Sequence, residues 1–245
     1  MKNKLTYGAV SLATGTAVLR ASQCQNGFDE SGLPVDSVWR VVIPAIIIVT
    51  AALLVFATRG LNAKRGTCGD ITDNFAFSGN TLAVAGVVAG SFLVMAGGAA
   101  SLMGRGSLGV GLLSVFAVAA ALCVLYVVFS LYRENAFHGV ALLVPVCCLV
   151  VYLIFLYRAD ASEPVLAKIY IELLAAAALT YASLERAAFA FANGSPRLYL
   201  PVNAMAFVLA VCAAAEMRSM AATLLFAGCA LIELGFLRAA NFEKN

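Results

Sequence analysis

Charged side chains are scarce in this sequence. Only 12% of its 245 residues are Asp, Glu, Lys or Arg, and 62% are hydrophobic, whereas about a quarter of an ordinary soluble domain is charged. A water-soluble chain needs charge to cover its surface, but a chain solvated by lipid needs little of it away from helix ends. The composition therefore excludes most soluble folds and predicts an integral membrane protein.

Metal-ligating and nucleophilic patterns are also lacking. His138 is the only histidine, and none of the seven cysteines forms a Cys-x-x-Cys pair, so the sequence predicts no metal and no cofactor. A Ser-His dyad would depend on that one histidine, and no glycine-rich loop follows a strand pattern. We therefore expect no enzymatic activity. An enzyme that uses two carboxylates is the alternative left open.

Long apolar runs dominate what is present, because a helix needs about 20 apolar residues to cross a bilayer. They predict an all-α, polytopic bundle of about eight transmembrane helices, forming a single membrane domain over residues 1–245. The predicted helices span residues 5–22, 38–57, 75–103, 107–132, 138–157, 164–190, 198–217 and 220–238.

The first segment is the least certain of the eight. Residues 5–19 follow a basic start and resemble a secretory signal peptide, which would leave seven helices if the segment is cleaved or does not span. However, no clear Ala-x-Ala site follows, and Tyr7, Ser11 and Thr14 share one helical face. We predict a retained helix whose polar stripe faces the bundle.

Basic residues predict the orientation. With the N-terminus inside, ten of the sixteen Lys and Arg residues fall in inner segments, five in outer loops, and Lys168 inside a helix. The outer five are Arg20, Arg40, Arg105, Arg158 and Arg218. This bias places both termini in the cytoplasm. It fits a bacterial plasma membrane, and the absence of a clustered basic face argues against nucleic acid as a partner.

The predicted helix 75–103 carries small residues at alternating spacings of three and four. They include Gly79, Ala83, Gly86, Gly90, Gly97 and Gly104. Small residues let helix backbones approach closely in a membrane, so we expect this helix at the centre of the bundle. Packing within the chain is the first interpretation of the stripe, and a dimer interface or the lining of a substrate path is the alternative.

Charges within the apolar runs are the candidate polar or ion-binding site, because each costs several kcal/mol unless paired or hydrated. The candidate residues are Lys168, Glu172, Glu185, Glu216, Arg218 and Glu233. Lys168 can reach the outer boundary with its long side chain, whereas Glu172 lies too deep. Its partner is either Lys168, one turn away, or a vestibule shared with Glu216 and Arg218. Toward the inside, Glu185 and Glu233 either line an ion path or form helix-end pairs with Arg186 and Arg238.

Two functions follow from these features. Intramembrane carboxylates, prolines within helices (Pro44 and Pro145) and a glycine-lined helix favour a small-solute or ion transporter, or a component of one. The alternative is an accessory or scaffold protein that acts through helix–helix contacts with a membrane-protein partner or with further copies of itself.

Overall fold

The computed structural model describes residues 2–27, 37–58, 71–103, 108–133, 138–160 and 170–242. Within them the chain forms nine helices and, apart from one isolated bridge between Phe75 and Ala240, no β-structure. The helices are α1 (Lys2–Asn26), α2 (Ser37–Thr58), α3 (Ile71–Asn74), α4 (Thr81–Met103), α5 (Leu108–Arg133), α6 (His138–Asp160), α7 (Tyr170–Ala190), α8 (Pro196–Ala215) and α9 (Met220–Ala239). The predicted all-α class is confirmed.

Seven of these helices are long and apolar enough to cross a membrane, which makes the chain a multi-pass membrane protein. Their spanning parts are Val41–Thr58, Thr81–Met103, Gly111–Leu131, Gly139–Arg158, Tyr170–Ala190, Pro196–Ala215 and Met220–Ala239. Consecutive long helices from α4 to α9 pack side by side, and α1 and α2 lie against α8. The helices satisfy their own backbone groups, as lipid requires.

Helix α1 is long but more polar than the other seven long helices, and its orientation differs from the prediction. Tyr7 is 66% exposed, and Ser11 and Thr14 are exposed as well. The buried face carries instead six residues at spacings of three and four: Thr6, Ala9, Ala13, Thr16, Arg20 and Gln23. The prediction that Tyr7, Ser11 and Thr14 face the bundle is wrong. The helix is rotated instead so that the charged Arg20 side chain is buried next to its partner in the bundle.

The start of α4 is a second correction. The helix begins at Thr81 rather than at residue 75, because residues 75–80 form a turn in which the Asn80 side chain donates from Nδ2 to the Arg238 carbonyl (3.0 Å). Phe75 pairs with Ala240, and Gly79 adopts a φ of +81°, which favours glycine. Gly79 is therefore a turn residue and not part of the helical stripe. Gly104 lies outside the described residues.

The rest of the small-residue stripe brings α4 close to α9. A methyl group on Gly90 would lie 2.6 Å from the Gly228 carbonyl, and one on Gly97 would lie 2.9 Å from the Ala221 carbonyl. Ala83 is fully buried, and its carbonyl lies 2.8 Å from where a methyl on Gly235 would stand. Such distances exclude side chains, so the stripe serves packing within the chain.

Helix α8, and not α4, is the most buried of the seven spans: 13 of its 20 residues are buried, against 7 of the 23 residues of α4. Helix α8 contacts α1, α2, α7 and α9, whereas α4 packs mainly on α9 and α5. The expectation of a central α4 is wrong, because the small residues of α4 pack against neighbouring helices on only part of its surface. The remainder, including Phe92, is exposed.

Candidate functional site

Four buried polar residues from three helices form a cluster toward the Ala190 end of α7. Arg186 donates from Nη2 to Oε2 of Glu233 on α9, and Asn203 on α8 donates from Nδ2 to the same oxygen. The Asn203 amide also lies 3.0 Å from the Tyr199 hydroxyl. We call Arg186, Tyr199, Asn203 and Glu233 the Glu233 cluster. All four are at most 2% exposed.

The Arg186 side chain is held but not fully satisfied. Its guanidinium carbon lies 3.9 Å from the centroid of the Phe236 ring, a cation–π contact. Within the described part of the chain, Arg186 Nε has no acceptor and Asn203 Oδ1 has no donor. Because a buried polar atom without a partner costs about 1–3 kcal/mol, these two atoms mark a place where a further polar group would be stabilising.

A cavity of about 130 Å³ adjoins the Glu233 cluster. Helices α4, α5, α6, α7 and α9 line it, mostly with apolar side chains, and Arg186, Glu233, Ser183 and Cys229 are among its polar residues. Pro145 of α6 also lines it, as expected for a proline that leaves its helix imperfectly packed. A dry cavity of about 150 Å³ in a protein core can hold benzene, so this space suits a small apolar group.

A second cluster lies at the opposite end of the bundle. Arg20 of α1 donates from Nε (2.8 Å) and Nη2 (2.6 Å) to Oε1 of Glu216, just after α8, and from Nη1 to Gln23. The Tyr170 ring centroid lies 5.4 Å from the Arg20 guanidinium carbon. We call Arg20, Gln23 and Glu216 the Glu216 cluster. Arg20 is 1% exposed and the Glu216 side chain 5%.

Glu216 lies outside the membrane spans, and its protonation is shifted by its surroundings. Burial raises the pKa of Glu216 from 4.5 to about 7, although the adjacent Arg20 guanidinium acts to lower it. The negative charge of Glu172 raises this pKa further. This carboxyl therefore changes charge near neutral pH.

Glu172 pairs with Arg218, whose Nη1 lies 3.0 Å from Oε2 of Glu172. The Glu172 side chain is 3% exposed and that of Arg218 45%, so this pair lies at the boundary between the bundle and water. The predicted Lys168 partner lies outside the described residues. Arg218 is therefore an ion-pair partner of Glu172, and Glu216, whose charge interacts with that of Glu172, is paired with Arg20.

Two further expectations on the inner side are corrected. Glu233 pairs with Arg186 and not with Arg238, whose carbonyl instead accepts from Asn80. Glu185 is half-buried one position before Arg186 in the chain, and the structure brings Glu233 rather than Glu185 to that guanidinium. Consecutive residues of a helix point about 100° apart around its axis. Glu185 therefore faces away from the direction of Arg186, and Glu233 takes the place next to that guanidinium.

Sequence reasoning missed Arg20 and Asn203 as site residues. A signal for Arg20 was present, since residues 9, 13, 16, 20 and 23 follow helical spacing beyond the apolar run. Asn203 follows Tyr199 by one turn, but nothing in the sequence links it to Glu233, 30 positions later.

Among the described residues, no group of three His, Cys, Asp or Glu could hold a metal ion. The chain matches no protein-family model, no curated protein and no solved structure. Its function must therefore be inferred from the geometry of the cavity and the two clusters.

Proposed function

We propose that this chain is a transporter, or a component of one, for a small solute, and not an enzyme. The observation that carries the proposal is the cavity between five membrane-spanning helices with the Glu233 cluster at one end. Buried ionisable residues in membrane spans are costly and typically mark solute or ion pathways. The Glu216 cluster lies at the other end of the bundle, so paired charges stand near both ends of one membrane domain.

The proposed location is the plasma membrane, with the Glu216 cluster on the outer side. This orientation rests on the excess of Lys and Arg in the predicted inner segments. A solute would then pass between the outer end and the Glu233 cluster through the space that the cavity occupies.

Two adjacent cysteines in α6 provide the test. Cys148 lines the cavity, whereas Cys147 is exposed on the outside of the bundle and faces lipid. Two variants retain one of these cysteines each, with the other six replaced by Ala, and are reconstituted in sealed vesicles. A membrane-impermeant thiol reagent is added from one side and then from the other, because such reagents need a thiolate in contact with water.

A transporter exposes its binding site to each side in turn, so the Cys148 protein should be labelled from both sides and the Cys147 protein from neither. Labelling of Cys148 from one side only, or from neither side, would contradict the proposal. The Cys147 protein controls for leaky vesicles and for reagent that enters through lipid.

An accessory role is the second candidate, and the outward face of α1 favours it. Gly8 and Gly15 have no neighbouring atom within 4 Å of an added methyl group, and Ser11 between them is exposed. Small and polar residues on a membrane helix surface suit a second helix better than lipid. A Ser11→Cys variant that forms no cross-link, in a protein that repeatedly purifies alone from mild detergent, would exclude this role.

A further inference from the structure

The shape and lining of the cavity constrain its ligand. On α9 the lining extends from Leu225 to Glu233, which is about 12 Å along a helix axis. Between these two levels most lining residues are apolar, for example Val94, Leu149 and Leu179. The lining thus runs along the bundle from an apolar level to the level of Glu233, and the space suits the short apolar body of a single-chain molecule with one polar end near Glu233.

The polar end of the cavity offers half of a carboxylate-binding fork. Nε and Nη2 lie on the same side of a guanidinium and together bind a planar anion through two parallel hydrogen bonds. Arg20 uses both of these atoms toward Glu216. Arg186 uses only Nη2 toward Glu233, and its Nε has no acceptor among the described residues.

Charge balance limits how an anion can bind there. Arg186 and Glu233 neutralise each other in a fully buried site. A bound anion would leave one negative charge uncompensated in a low-dielectric environment, which is strongly unfavourable. Protonation of Glu233 removes that charge and releases Nη2, so that both fork atoms of Arg186 become available to the ligand.

We propose that the cavity binds a single-chain organic anion, an alkyl carboxylate or a similar amphiphile, together with one proton. The anionic head takes Nε and Nη2 of Arg186, the proton goes to the Glu233 carboxylate, and the alkyl chain lies along the cavity. The reaction is anion plus proton plus the ion-paired protein, giving a neutral loaded site. This inference rests on the proposed transport function, for which it names the substrate class and a coupled proton.

Butane-1-sulfonate and butan-1-ol are the probes, used with the full chain in phosphatidylcholine nanodiscs and with empty nanodiscs as the partition control. A sulfonate stays ionised at every working pH, so any proton taken up on binding must go to the protein. Titration calorimetry in two buffers of different ionisation enthalpy counts that proton. We expect about one proton per bound sulfonate, and an affinity that falls about tenfold for each unit rise in pH while Glu233 is ionised in the free protein.

Three variants separate the contributions. Glu233→Gln should bind butane-1-sulfonate without proton uptake and without pH dependence, and Arg186→Gln should lose sulfonate binding but keep butan-1-ol. Ala120→Leu places a larger side chain at an apolar lining position of the cavity and leaves both residues of the ion pair in place, and it should lose both ligands. If either charge variant fails to fold, Ala120→Leu still tests whether the ligands bind in the cavity.

Binding of butan-1-ol without binding of the sulfonate, or sulfonate binding with no proton uptake, would overturn the anion inference. Neither result affects the proposed transport function, which depends on labelling of Cys148 from both sides. Conversely, Cys148 labelling from one side only would overturn transport, while proton-linked sulfonate binding would still support the site.

Discussion

Arg20 Nη2 lies 2.6 Å from Glu216 Oε1, in a pair that joins α1 to the end of α8 and is almost completely buried. The two residues are 196 positions apart. Arg20 lies one helical turn after Thr16, whose hydroxyl lies 3.2 Å from the Cys212 sulfur of α8. The pair therefore sets both the rotation and the position of α1, the one long helix too polar to be counted with the seven spans.

Stability should fall as pH rises through the titration of Glu216. Its pKa is about 7 in the folded protein and 4.5 ordinarily. Between these two pH values the folded state therefore retains a proton that the unfolded chain has lost. Unfolding then releases a proton and is favoured by rising pH. The contribution of Glu216 is complete below pH 4.5 and is lost by about pH 7, with a total of at most about 3 kcal/mol.

Unfolding in mixed micelles, followed by circular dichroism at several pH values, measures this slope. Glu216→Gln should flatten it. A stability that instead rises between pH 4.5 and 7 would show that attraction to Arg20 outweighs burial.

The two glycines of the GxxxG pair in α4 should respond differently to alanine. A methyl on Gly90 would lie 2.6 Å from the Gly228 carbonyl and 2.9 Å from the Ile232 amide nitrogen, both rigid backbone atoms. On Gly86 the nearest atom would be the Leu231 carbonyl at 3.5 Å, an ordinary contact. Gly90→Ala should therefore cost about 1–3 kcal/mol of overpacking, whereas Gly86→Ala should change stability by less than about 1 kcal/mol.

Both variants are compared by their unfolding midpoints in the same detergent mixture. Equal losses would mean that the separation of α4 and α9 can relax, and that the close approach at Gly90 is not required.

The spans were predictable from hydropathy alone because lipid imposes a single strong requirement, about 20 apolar residues in a helix. The ends of α4 and α1 were not predictable from hydropathy. The start of α4 depends on the Asn80 bond to the distant Arg238 carbonyl, and α1 continues past its apolar run because Arg20 finds a partner in Glu216.

The candidate residues were predictable as individuals but not as pairs. Glu172, Glu216 and Glu233 stand out because a carboxylate in an apolar run is costly, and all three are paired in the fold. Which cation pairs with each depends on how helices rotate against each other, which short-range spacing does not contain. Spacing along the chain therefore indicated Arg238 as the partner of Glu233, whereas its partner in the fold is Arg186.

Removing Arg218 should cost more than neutralising Glu172, although the two form one ion pair. Glu172 is buried and Arg218 is 45% exposed, so Arg218→Ala deprives a buried carboxylate of a partner, at about 1–3 kcal/mol. Glu172→Gln leaves an arginine that water can solvate, and it should cost less than about 1 kcal/mol. The double variant should be more stable than Arg218→Ala alone, as a thermodynamic cycle of unfolding energies would show. A double variant as unstable as the sum of the two single changes would mean that the residues do not interact.

Phe75 should be essential to the packing at the end of the bundle that contains the Glu233 cluster. Its ring makes edge-to-face contacts with Phe189, Tyr199 and Phe236, at centroid distances of 5.4–5.8 Å. Phe75→Ala should cost about 3–5 kcal/mol, as for other buried aromatic residues. The matched control is Phe92→Ala, which removes the same ring from a position 59% exposed to lipid and should cost little.

Hydrogen exchange locates the effect of Phe75→Ala. The Ala76 amide donates to the Ala239 carbonyl (2.9 Å) and the Asn241 amide to the Asn74 carbonyl (2.8 Å), so both bonds involve a chain neighbour of Phe75. These two amides should lose protection first, while amides in the middle of α8 keep theirs, because loss of the ring opens only this end. Uniform loss of protection along α8 and α9 would show instead that Phe75 stabilises the bundle as a whole, and unchanged protection at Ala76 would show that the pairing of Phe75 with Ala240 forms without the ring.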